Sequence, residues 1–309
     1  MISTLTHTST PLADLTCRIL SHSVVSPSLR LLHLQPIANH RDEPINHFAC
    51  VAGQFVMIDV DQRKDLYERM RRPMSVYRTH ADGSFEIFYK VHGTGTQHMS
   101  ELSVGDALNM LGPLGKPFPL ELNTDHVLLI GGGIGVAPLV FWAEQATEST
   151  RGNAQLLYGV RNADEVGIEA DLQATFGEGF YLCTDDGSAG FGGTVVDWLN
   201  AHRDAVTPSA VLVCGPWGMM AAVSQWFAAH QPNTPVWASL EERMPCGTGA
   251  CTGCVVFRTD TAESSAEWPT KTCTEGPVFR ANTIRWDPQS RLINSPSSNL
   301  CRSTEGCSV

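Results

Sequence analysis

A nine-residue stretch, Cys246-Gly-Thr-Gly-Ala-Cys-Thr-Gly-Cys254, constrains this chain more than any other part of its sequence. Its three cysteines follow the pattern C-x4-C-x2-C, and Cys273 comes after 18 intervening residues. This spacing is typical of a plant-type [2Fe–2S] cluster, in which four thiolates hold two irons. The glycines between the cysteines let the backbone turn through positive φ and approach a metal centre. The sequence therefore predicts that an iron–sulfur cluster is ligated by Cys246, Cys251, Cys254 and Cys273.

A structural zinc site is the alternative, because Cys251-x2-Cys254 alone resembles one half of a four-thiolate zinc site. A typical zinc site has a second close pair of cysteines further along the chain. Here Cys273 stands alone and Cys246 joins the first pair, which favours iron and sulfur over zinc. The remaining cysteines of the ten are scattered, so ligation in a reducing compartment is favoured over disulfides.

The bulk composition limits the class of protein. A chain of 309 residues is long enough for about two domains with sizeable cores. Hydrophobic residues make up 42 % and charged residues 17 %, as in a folded globular protein. The net charge of −11 argues against a general affinity for nucleic acid or anionic membranes. We see no basic and apolar leader and no run of about 18 apolar residues, so we expect a cytoplasmic protein.

Short strands separated by turn signals fill the first third of the chain. Many short strands in one block predict a closed antiparallel barrel, which we assign to residues 14–122. The predicted strands are Thr16–Ser23, Leu29–Leu34, Phe55–Val60, Met74–Arg78, Ser84–Val91 and Ala107–Leu111.

From Thr124 onward, short apolar runs alternate with helical stretches. This alternation predicts an open parallel sheet with helices on both faces, assigned to residues 123–240. The predicted strands are His126–Ile130, Ala154–Tyr158, Tyr181–Thr184, Ala210–Cys214 and Val236–Ser239. The predicted helices are Leu139–Glu148, part of Ala163–Phe176, Thr194–His202 and Trp217–Ala229.

The cysteine segment, residues 241–288, follows as a third unit. Within it we predict a strand over Cys254–Thr259 and a polar loop over Glu263–Trp268. Residues 289–309 are rich in serine and asparagine and are expected to form a flexible tail that holds Cys301 and Cys307.

A glycine run, Gly131-Gly-Gly-Ile-Gly135, stands between a predicted strand and a predicted helix. Amides of such a loop face a pyrophosphate at a helix N-terminus, although a tight, closely packed turn is the structural alternative. Cys214-Gly215 ends another predicted parallel strand, and the carboxyl ends of such strands form a ligand crevice. The predicted nucleotide-binding residues are therefore Gly131, Gly132, Gly133, Gly135, Cys214 and Gly215.

Two features of the barrel segment predict a second anionic cofactor. Arg71-Arg-Pro-Met-Ser75 offers guanidinium groups for a phosphate and a hydroxyl for a ring heteroatom. Phe88-Tyr-Lys90 precedes Gly93-Thr-Gly-Thr96, where Thr96 is expected to cap a short helix over Gln97–Leu102. The alternative is a solvated basic patch, because further cations crowd this region: Arg63, Lys64 and Arg69.

Taken in order, these motifs make the chain similar to the electron-transfer subunits of NAD-linked (type B) dihydroorotate dehydrogenases, within the ferredoxin reductase superfamily. The resemblance covers roughly residues 14 to 287, and the cysteine segment is its more specific part. The motifs are Arg72-Pro-Met-Ser75, Gly93-Thr-Gly-Thr96, Leu111-Gly-Pro-Leu-Gly115, Gly131-Gly-Gly-Ile-Gly-Val-Ala-Pro138, Thr184-Asp-Asp-Gly-Ser188, Cys214-Gly-Pro216 and Glu241-Glu-Arg-Met-Pro-Cys246 with the cysteines that follow.

The resemblance implies a multidomain chain of α+β and α/β class. It implies an antiparallel FAD-binding β-barrel, a Rossmann-like parallel α/β NAD domain and a small C-terminal [2Fe–2S] domain. It places Ser75 near the reactive nitrogen of the flavin and Cys214 near the nicotinamide, and it implies no general acid or base. The FAD contacts that it implies are Arg72, Pro73, Met74, Ser75, Phe88, Tyr89, Lys90, Gly95 and Thr96.

The implied function is electron transfer between NAD+ and an FMN-containing dihydroorotate dehydrogenase subunit of pyrimidine biosynthesis, in a heterotetramer with two copies of each chain. Two alternatives stay open. One is the small subunit of an NAD(P)H-linked ferredoxin or sulfide oxidoreductase, and the other is a non-enzymatic nucleotide-binding module with structural zinc. NADP also stays open as the nucleotide, because Arg161 follows a predicted strand and could meet a 2′-phosphate. The chain departs from the family pattern at Lys116-Pro117 and in a long loop over Gln62–Met70.

Overall fold

The computed structural model describes residues 13–39, 43, 45, 48–60, 70–120, 122, 126–146, 153–259 and 267–287. The expected flexible tail, with Cys301 and Cys307, lies outside these residues, as does most of the Gln62–Met70 loop. Among the helices in the described ranges, none combines the length and the apolar character needed to cross a membrane.

Seven antiparallel strands and one short helix, α1 (Thr94–Ser100), build the first domain. The strands are β1 (Ala13–Val24), β2 (Leu29–Asn39), β3 (Phe55–Ile58), β4 (Arg72–Ser75), β5 (Arg78–Thr79), β6 (Phe85–Lys90) and β7 (Ala107–Leu114). Their hydrogen-bonded order is β4-β3-β7-β1-β2-β6-β5. Because the chain runs from one end of this row to the other through only Val76 and Tyr77, the sheet must curl round on itself, as the predicted barrel requires.

The barrel core follows from the two-residue period of the strands. Leu15, Cys17 and Ile19 alternate along β1 and are all buried, so Cys17 is a core residue. The predicted strand Met74–Arg78 is wrong in its bounds, because Val76 and Tyr77 turn into the core and divide it into β4 and β5.

The predicted cap of α1 is also wrong. The helix begins at Thr94, so Gly93, with φ 82°, occupies the N-cap position and Thr96 lies inside the first turn. The Thr96 hydroxyl instead accepts a hydrogen bond from the His92 amide at 2.6 Å and donates one to the Gly93 carbonyl at 3.2 Å. Glycine tolerates the positive φ at this position, which explains why the helix starts three residues earlier than predicted.

Parallel strands alternate with helices in the second domain. The strands are β8 (Val127–Gly132), β9 (Ala154–Val160), β10 (Phe180–Thr184), β11 (Phe191–Gly192), β12 (Ala210–Cys214) and β13 (Val236–Ser239). The helices are α2 (Ala137–Gln145), α3 (Glu169–Phe176), α4 (Val195–Ala201) and α5 (Trp217–His230), with 3-10 turns at Gly133–Val136, Ala163–Glu165 and Gly177–Gly179. The strand order in the sheet is β11-β10-β9-β8-β12-β13, so successive strands are added first on one side of β8 and then on the other. Doubly wound sheets bind their ligands at this switch point, between β8 and β12.

The cysteine segment contributes β14 (Val255–Thr259), β15 (Glu267–Lys271), α6 (Thr272–Glu275), β16 (Val278–Arg280) and a 3-10 turn at Ala281–Thr283. The polar loop predicted over Glu263–Trp268 is wrong at Glu267 and Trp268, because these residues begin β15 and pair with β14. The strand β16 adds antiparallel to β13 and extends the sheet of the second domain. The cysteine segment is thereby built into that sheet.

The barrel and the α/β domain meet through an ionic cluster. Arg78 lies 2.6 Å from Glu144 on α2 and 3.1 Å from Asp171 on α3. The Tyr77 hydroxyl donates a hydrogen bond to the same Asp171 carboxylate. A second ion pair joins Lys90 to Glu165 at 2.7 Å. These contacts fix the angle between the domains and thus the distance between the sites that each domain carries.

Candidate functional site

The glycine run and the Cys214 loop lie against each other at the switch point of the parallel sheet. A Cβ atom on Gly135 would come within 2.5 Å of the Cys214 carbonyl oxygen, and one on Gly132 would come within 2.7 Å of Pro216 Cδ. Gly215 has φ 156°, and its Cβ would approach Gly132 at 2.9 Å. Close packing between the two loops therefore explains why residues 132, 135 and 215 are glycines, since a side chain would not fit there.

Gly133 differs from its neighbours. Its φ is 53°, and a Cβ placed on it would meet no atom within 4 Å. The backbone therefore turns through the left-handed region beside open space, at the start of the 3-10 turn that leads into α2. The residues fit a dinucleotide, because the open side of this loop lies at the carboxyl ends of β8 and β12 and presents backbone amides ahead of a helix.

Cys214 ends β12 with a thiol that stays neutral. Burial and the nearby Glu241 carboxylate raise its pKa to about 12, although a hydrogen bond with Ser239 works in the opposite direction. The side chain is 7 % exposed. At neutral pH the residue is a small uncharged group in the floor of the crevice and does not act as a thiolate nucleophile.

The barrel brings Arg72 onto the start of α1. A Cβ on Gly95 would come within 2.6 Å of Arg72 Nε, so this glycine leaves the room that the guanidinium fills. The Arg72 Nη1 atom donates to the Met70 carbonyl. Arg71 instead forms an ion pair with Asp14 at 2.9 Å, so only Arg72 of the two adjacent arginines lies at the start of α1. The combination of Arg72 and the α1 amides fits a phosphate group.

The other predicted flavin contacts fall into two groups. Ser75 and Pro73 lie half-buried on β4, where they pair with Phe55 and Met57 of β3. Phe88 and Tyr89 are buried in the barrel, and the Tyr89 hydroxyl lies 2.9 Å from His22 Nε2. Lys90 is paired with Glu165 of the second domain, as described above. The Arg72–Ser75 strand is thus half-buried, whereas the two aromatic side chains belong to the barrel core.

The four cysteines of the segment come together around α6 and the loop before β14. Cys254 and Cys273 are 1 % exposed, and Cys246 and Cys251 are half-buried. The Cys251 amide donates to Cys246 Sγ at 3.4 Å, and the Gly253 amide donates to Cys251 Sγ at 3.5 Å. Backbone amides aimed at cysteine sulfurs are what an iron–sulfur loop needs to stabilise its thiolates.

The acidity of these thiols differs along the segment. Burial acts against ionisation of Cys246, but hydrogen bonds from the Cys251 and Thr248 amides lower its pKa to about 6. Burial and the adjacent Cys254 thiol raise the pKa of Cys273 to about 12. A bound cation would lower the raised pKa of Cys273, because it favours the thiolate form of every ligand.

The spacing of the sulfurs bears on the choice between iron and zinc. Two sulfur ligands on one tetrahedral zinc ion are about 3.8 Å apart, given zinc–sulfur bonds of about 2.3 Å. Among the described residues, no three of these cysteine sulfurs lie within 4.8 Å of one another. Four thiolates shared between two irons form two pairs that stand further apart, so the donor set fits a two-iron cluster better than one zinc ion.

The cysteine loop lies directly against strands β3 and β7 of the barrel. Gly247 has φ 71°, and a Cβ on it would come within 2.6 Å of Met57 Cγ. Met57 in turn pairs with Pro73 in the ladder between β3 and β4. A small apolar cluster seals this contact and includes Phe55, Met57, Leu114, Met244, Cys254 and Cys273. Met57 was not predicted as a site residue, because the local sequence of a strand does not indicate which loop will cover it.

A second contact between the barrel and the cysteine segment involves Lys116, which belongs to the Lys116-Pro117 departure from the family pattern. The Lys116 amide donates to the Gly276 carbonyl at 2.5 Å, and Lys116 forms a bridge with Pro277. Gly115, with φ 78°, leaves room for Pro277, since a Cβ there would lie 2.6 Å from Pro277 Cδ. The segment that ends in Cys273-Thr-Glu-Gly-Pro277 therefore rests on the barrel beside the loop that carries the other three cysteines.

Three family models match the chain in consecutive segments. An oxidoreductase FAD-binding domain matches residues 16–118, and an oxidoreductase NAD-binding domain matches residues 129–225. The iron–sulfur cluster binding domain of dihydroorotate dehydrogenase B matches residues 241–285. The predicted FAD, NAD and iron–sulfur cofactors are confirmed by these three domain matches, and the match of the cysteine segment to an iron–sulfur domain speaks against the zinc module.

Curated relatives agree with this order of domains. The electron transfer subunit of dihydroorotate dehydrogenase B (NAD+) from Bacillus caldolyticus is 39 % identical over 237 residues, which is 75 % of this chain and 86 % of the relative. The same subunit from Listeria monocytogenes is 35 % identical over 272 residues, 85 % of this chain and all of the relative. Among solved structures, an NADH-dependent reduced ferredoxin-NADP oxidoreductase is similar, with TM-score 0.72 and 26 % identity over 88 % of this chain and 90 % of that chain.

Proposed function

The chain belongs to the electron transfer subunits of dihydroorotate dehydrogenase B, and from this membership we propose that it carries electrons between NAD+ and a partner dihydroorotate dehydrogenase catalytic subunit. One observation carries the proposal. The cysteine loop contacts Met57, and Met57 pairs with Pro73 in the strand that would hold the flavin. The cysteine loop therefore lies next to the strand that we propose as the flavin site, within one chain.

The residues take three roles in this proposal. Gly131, Gly133 and the Cys214 loop hold the nucleotide at the crevice, with Cys214 beside the nicotinamide. Arg72 and the amides from Gly95 onward hold the FAD pyrophosphate, and Ser75 contacts the flavin ring. The cluster ligands are Cys246, Cys251, Cys254 and Cys273. The corresponding domains are residues 14–122, 123–240 and 241–288.

When bound, a flavin exchanges a hydride with nicotinamide and single electrons with a [2Fe–2S] cluster, so it joins a two-electron carrier to a one-electron carrier. The protein supplies position and environment for this exchange. The neutral Cys214 thiol adds no charge to the floor of the crevice. The apolar contact among Met57, Leu114 and Met244 excludes water between the cysteine loop and the barrel. We assign no side chain of this chain as a general acid or base. In the proposal, dihydroorotate is oxidised in the partner, which is an FMN protein. The two chains form a heterotetramer with two copies of each.

The proposal is tested by visible spectroscopy of the anaerobically purified protein. We expect flavin bands together with a broad iron–sulfur envelope, and we expect NADH to bleach both. Adding the catalytic subunit should then allow dihydroorotate to reduce NAD+, which neither chain does alone. A protein that binds both groups but whose cluster stays oxidised in the presence of NADH would contradict the relay.

A ferredoxin-linked oxidoreductase subunit is the second candidate, and the likeness to the NADH-dependent reduced ferredoxin-NADP oxidoreductase structure favours it. The two candidates differ in the electron acceptor. NADH-dependent reduction of ferredoxin without any dihydroorotate-dependent activity would favour the second. Replacing NADH with NADPH in the same assay decides which nucleotide the Arg161 side of the crevice accepts.

A further inference from the structure

Three side chains on the barrel, His33, His80 and Glu86, form a cluster that the proposed relay does not use. His33 on β2 and Glu86 on β6 stand directly opposite each other in the antiparallel ladder. His80 follows β5 and opens the turn back to β6, and its amide donates a 2.8 Å hydrogen bond to the Ser84 carbonyl. His33 is far in sequence from the other two, and the pairing of neighbouring strands brings it beside them.

The three side chains lie close enough together to share a small cation. One ligand atom from each residue lies within 4.8 Å of the other two. His80 Nε2 and Glu86 Oε1 are 3.3 Å apart. Two ligand atoms bound at about 2.0–2.1 Å to one tetrahedral ion are separated by about 3.3 Å, so an ion fits between this pair with little movement.

Glu86 supplies a second observation. Its Oε2 atom is buried and has no hydrogen-bond partner within the described part of the chain. Arg78 is opposite Glu86 in the ladder, but its guanidinium is directed to Glu144 and Asp171. A buried carboxylate oxygen without a partner is costly, and a cation held by both Glu86 oxygens would remove that cost.

The neighbours of His33 leave one ring nitrogen available. The Ser84 hydroxyl donates to Asp82 Oδ1 at 2.6 Å, so its proton is committed to that carboxylate. The same hydroxyl lies 2.7 Å from His33 Nε2 and must accept a hydrogen bond from it. His33 then carries its proton on Nε2 and keeps the lone pair of Nδ1 free. A hydrogen bond that fixes the tautomer and orientation of a histidine in this way is common around bound metal ions.

We propose that His33, His80 and Glu86 bind a divalent transition-metal ion, with Zn²⁺ as the best fit. Two imidazoles and one carboxylate are a donor set that zinc takes, with water in the fourth position. His80 is 35 % exposed, which gives an ion access from solvent, whereas Glu86 is 14 % exposed. The ion would tie β2, β6 and the turn after β5 together, beside the Tyr77 and Arg78 contacts to the second domain.

The test uses the complete protein with FAD and its iron–sulfur cluster, freed of loose metal on a chelating resin. The protein is dialysed to equilibrium against a series of Zn²⁺ concentrations, and zinc and iron are counted per chain by mass spectrometry. Two variants, His80→Ala and Glu86→Gln, remove one ligand each. His230→Ala is the matched control, because His230 is a half-buried histidine on α5 that bonds only to the Trp226 carbonyl in the described contacts.

We expect the unaltered protein and His230→Ala to bind one more zinc per chain than the two ligand variants, or to bind it at least about tenfold more tightly. Cysteines elsewhere can also take zinc, so the difference between variants is the readout. Unchanged FAD and iron contents show that a variant is folded, and Glu86→Gln preserves the shape if His80→Ala does not fold. Equal zinc binding by all four proteins would overturn the proposal and leave a histidine–glutamate hydrogen bond in its place.

Discussion

Replacing Gly247 with alanine should force the cysteine loop away from the barrel. The added Cβ would lie 2.6 Å from Met57 Cγ and 3.2 Å from Leu114 Cδ1, both in the apolar contact beneath the loop. Gly249, in the same loop, is the matched control. Its φ of 81° resembles the 71° of Gly247, but its Cβ would meet only the Thr274 side chain, at 3.0 Å for the nearest atom.

The magnitude follows from two terms. A residue with a Cβ in the left-handed region costs about 1–2 kcal/mol, and this term is shared by Gly247→Ala and Gly249→Ala. Overpacking against Met57 adds about 1–3 kcal/mol to the first variant alone. If iron leaves the cluster when this loop opens, the overpacking term corresponds to iron release about 5- to 150-fold faster from Gly247→Ala than from Gly249→Ala.

The assay follows the loss of visible absorption when the oxidised protein is mixed with an iron chelator. We expect Gly247→Ala to release iron faster than Gly249→Ala by the factor above. Shortening the opposing side chain should relieve the clash, so Gly247→Ala in a Met57→Ala background should behave like Gly249→Ala relative to its own parent. Equal rates for the two glycine variants, or no relief from Met57→Ala, would refute the packing of the loop on β3.

Three further predictions concern the other sites. Arg78→Met leaves the Glu144 and Asp171 carboxylates without their shared cation and should destabilise the protein by about 1–3 kcal/mol, seen as a lower melting temperature, whereas Arg71→Met at the more exposed pair should change it by less. Cys254→Ser should abolish the iron–sulfur spectrum but retain flavin bands, and normal iron content in this variant would contradict the ligand assignment. Gly135→Ala places a Cβ 2.5 Å from the Cys214 carbonyl and should raise the KM for NADH with unchanged FAD content, while Gly177→Ala, at a positive φ with open space, should leave the KM unchanged.

Local patterns were enough to predict most of the elements and all of the cofactor domains. Apolar runs such as Val127–Gly132 and Ala210–Cys214 are buried on both faces, and this makes parallel strands easy to recognise. The cysteine spacing carried the iron–sulfur prediction because ligand geometry restricts the chain directly. What failed were short elements. The three residues of β16 have no period of their own, and they form a strand only because β13 offers an open edge.

Contacts between distant segments were beyond reach for another reason. Tyr77 and Asp171 are 94 residues apart, and neither belongs to a motif. The same holds for His33, which is 51 residues from Ser84. Such pairs depend on how the finished barrel is placed against α3 and on which strands become neighbours. The register of strands settles these contacts, and a single sequence does not encode it in any local signal.

The ends of the parallel sheet have a consequence for solubility. An unpaired strand at a sheet edge offers a row of amides and carbonyls to other chains, and natural sheets limit this risk by making edge strands short. Here the row ends in β11, with two residues, and in β16, with three. Removing the cysteine segment would uncover β13, whose four residues are mostly buried and rich in apolar side chains. A chain cut after Leu240 would therefore lose its cluster and would also expose the unpaired edge of β13, through which copies of the chain could pair and aggregate.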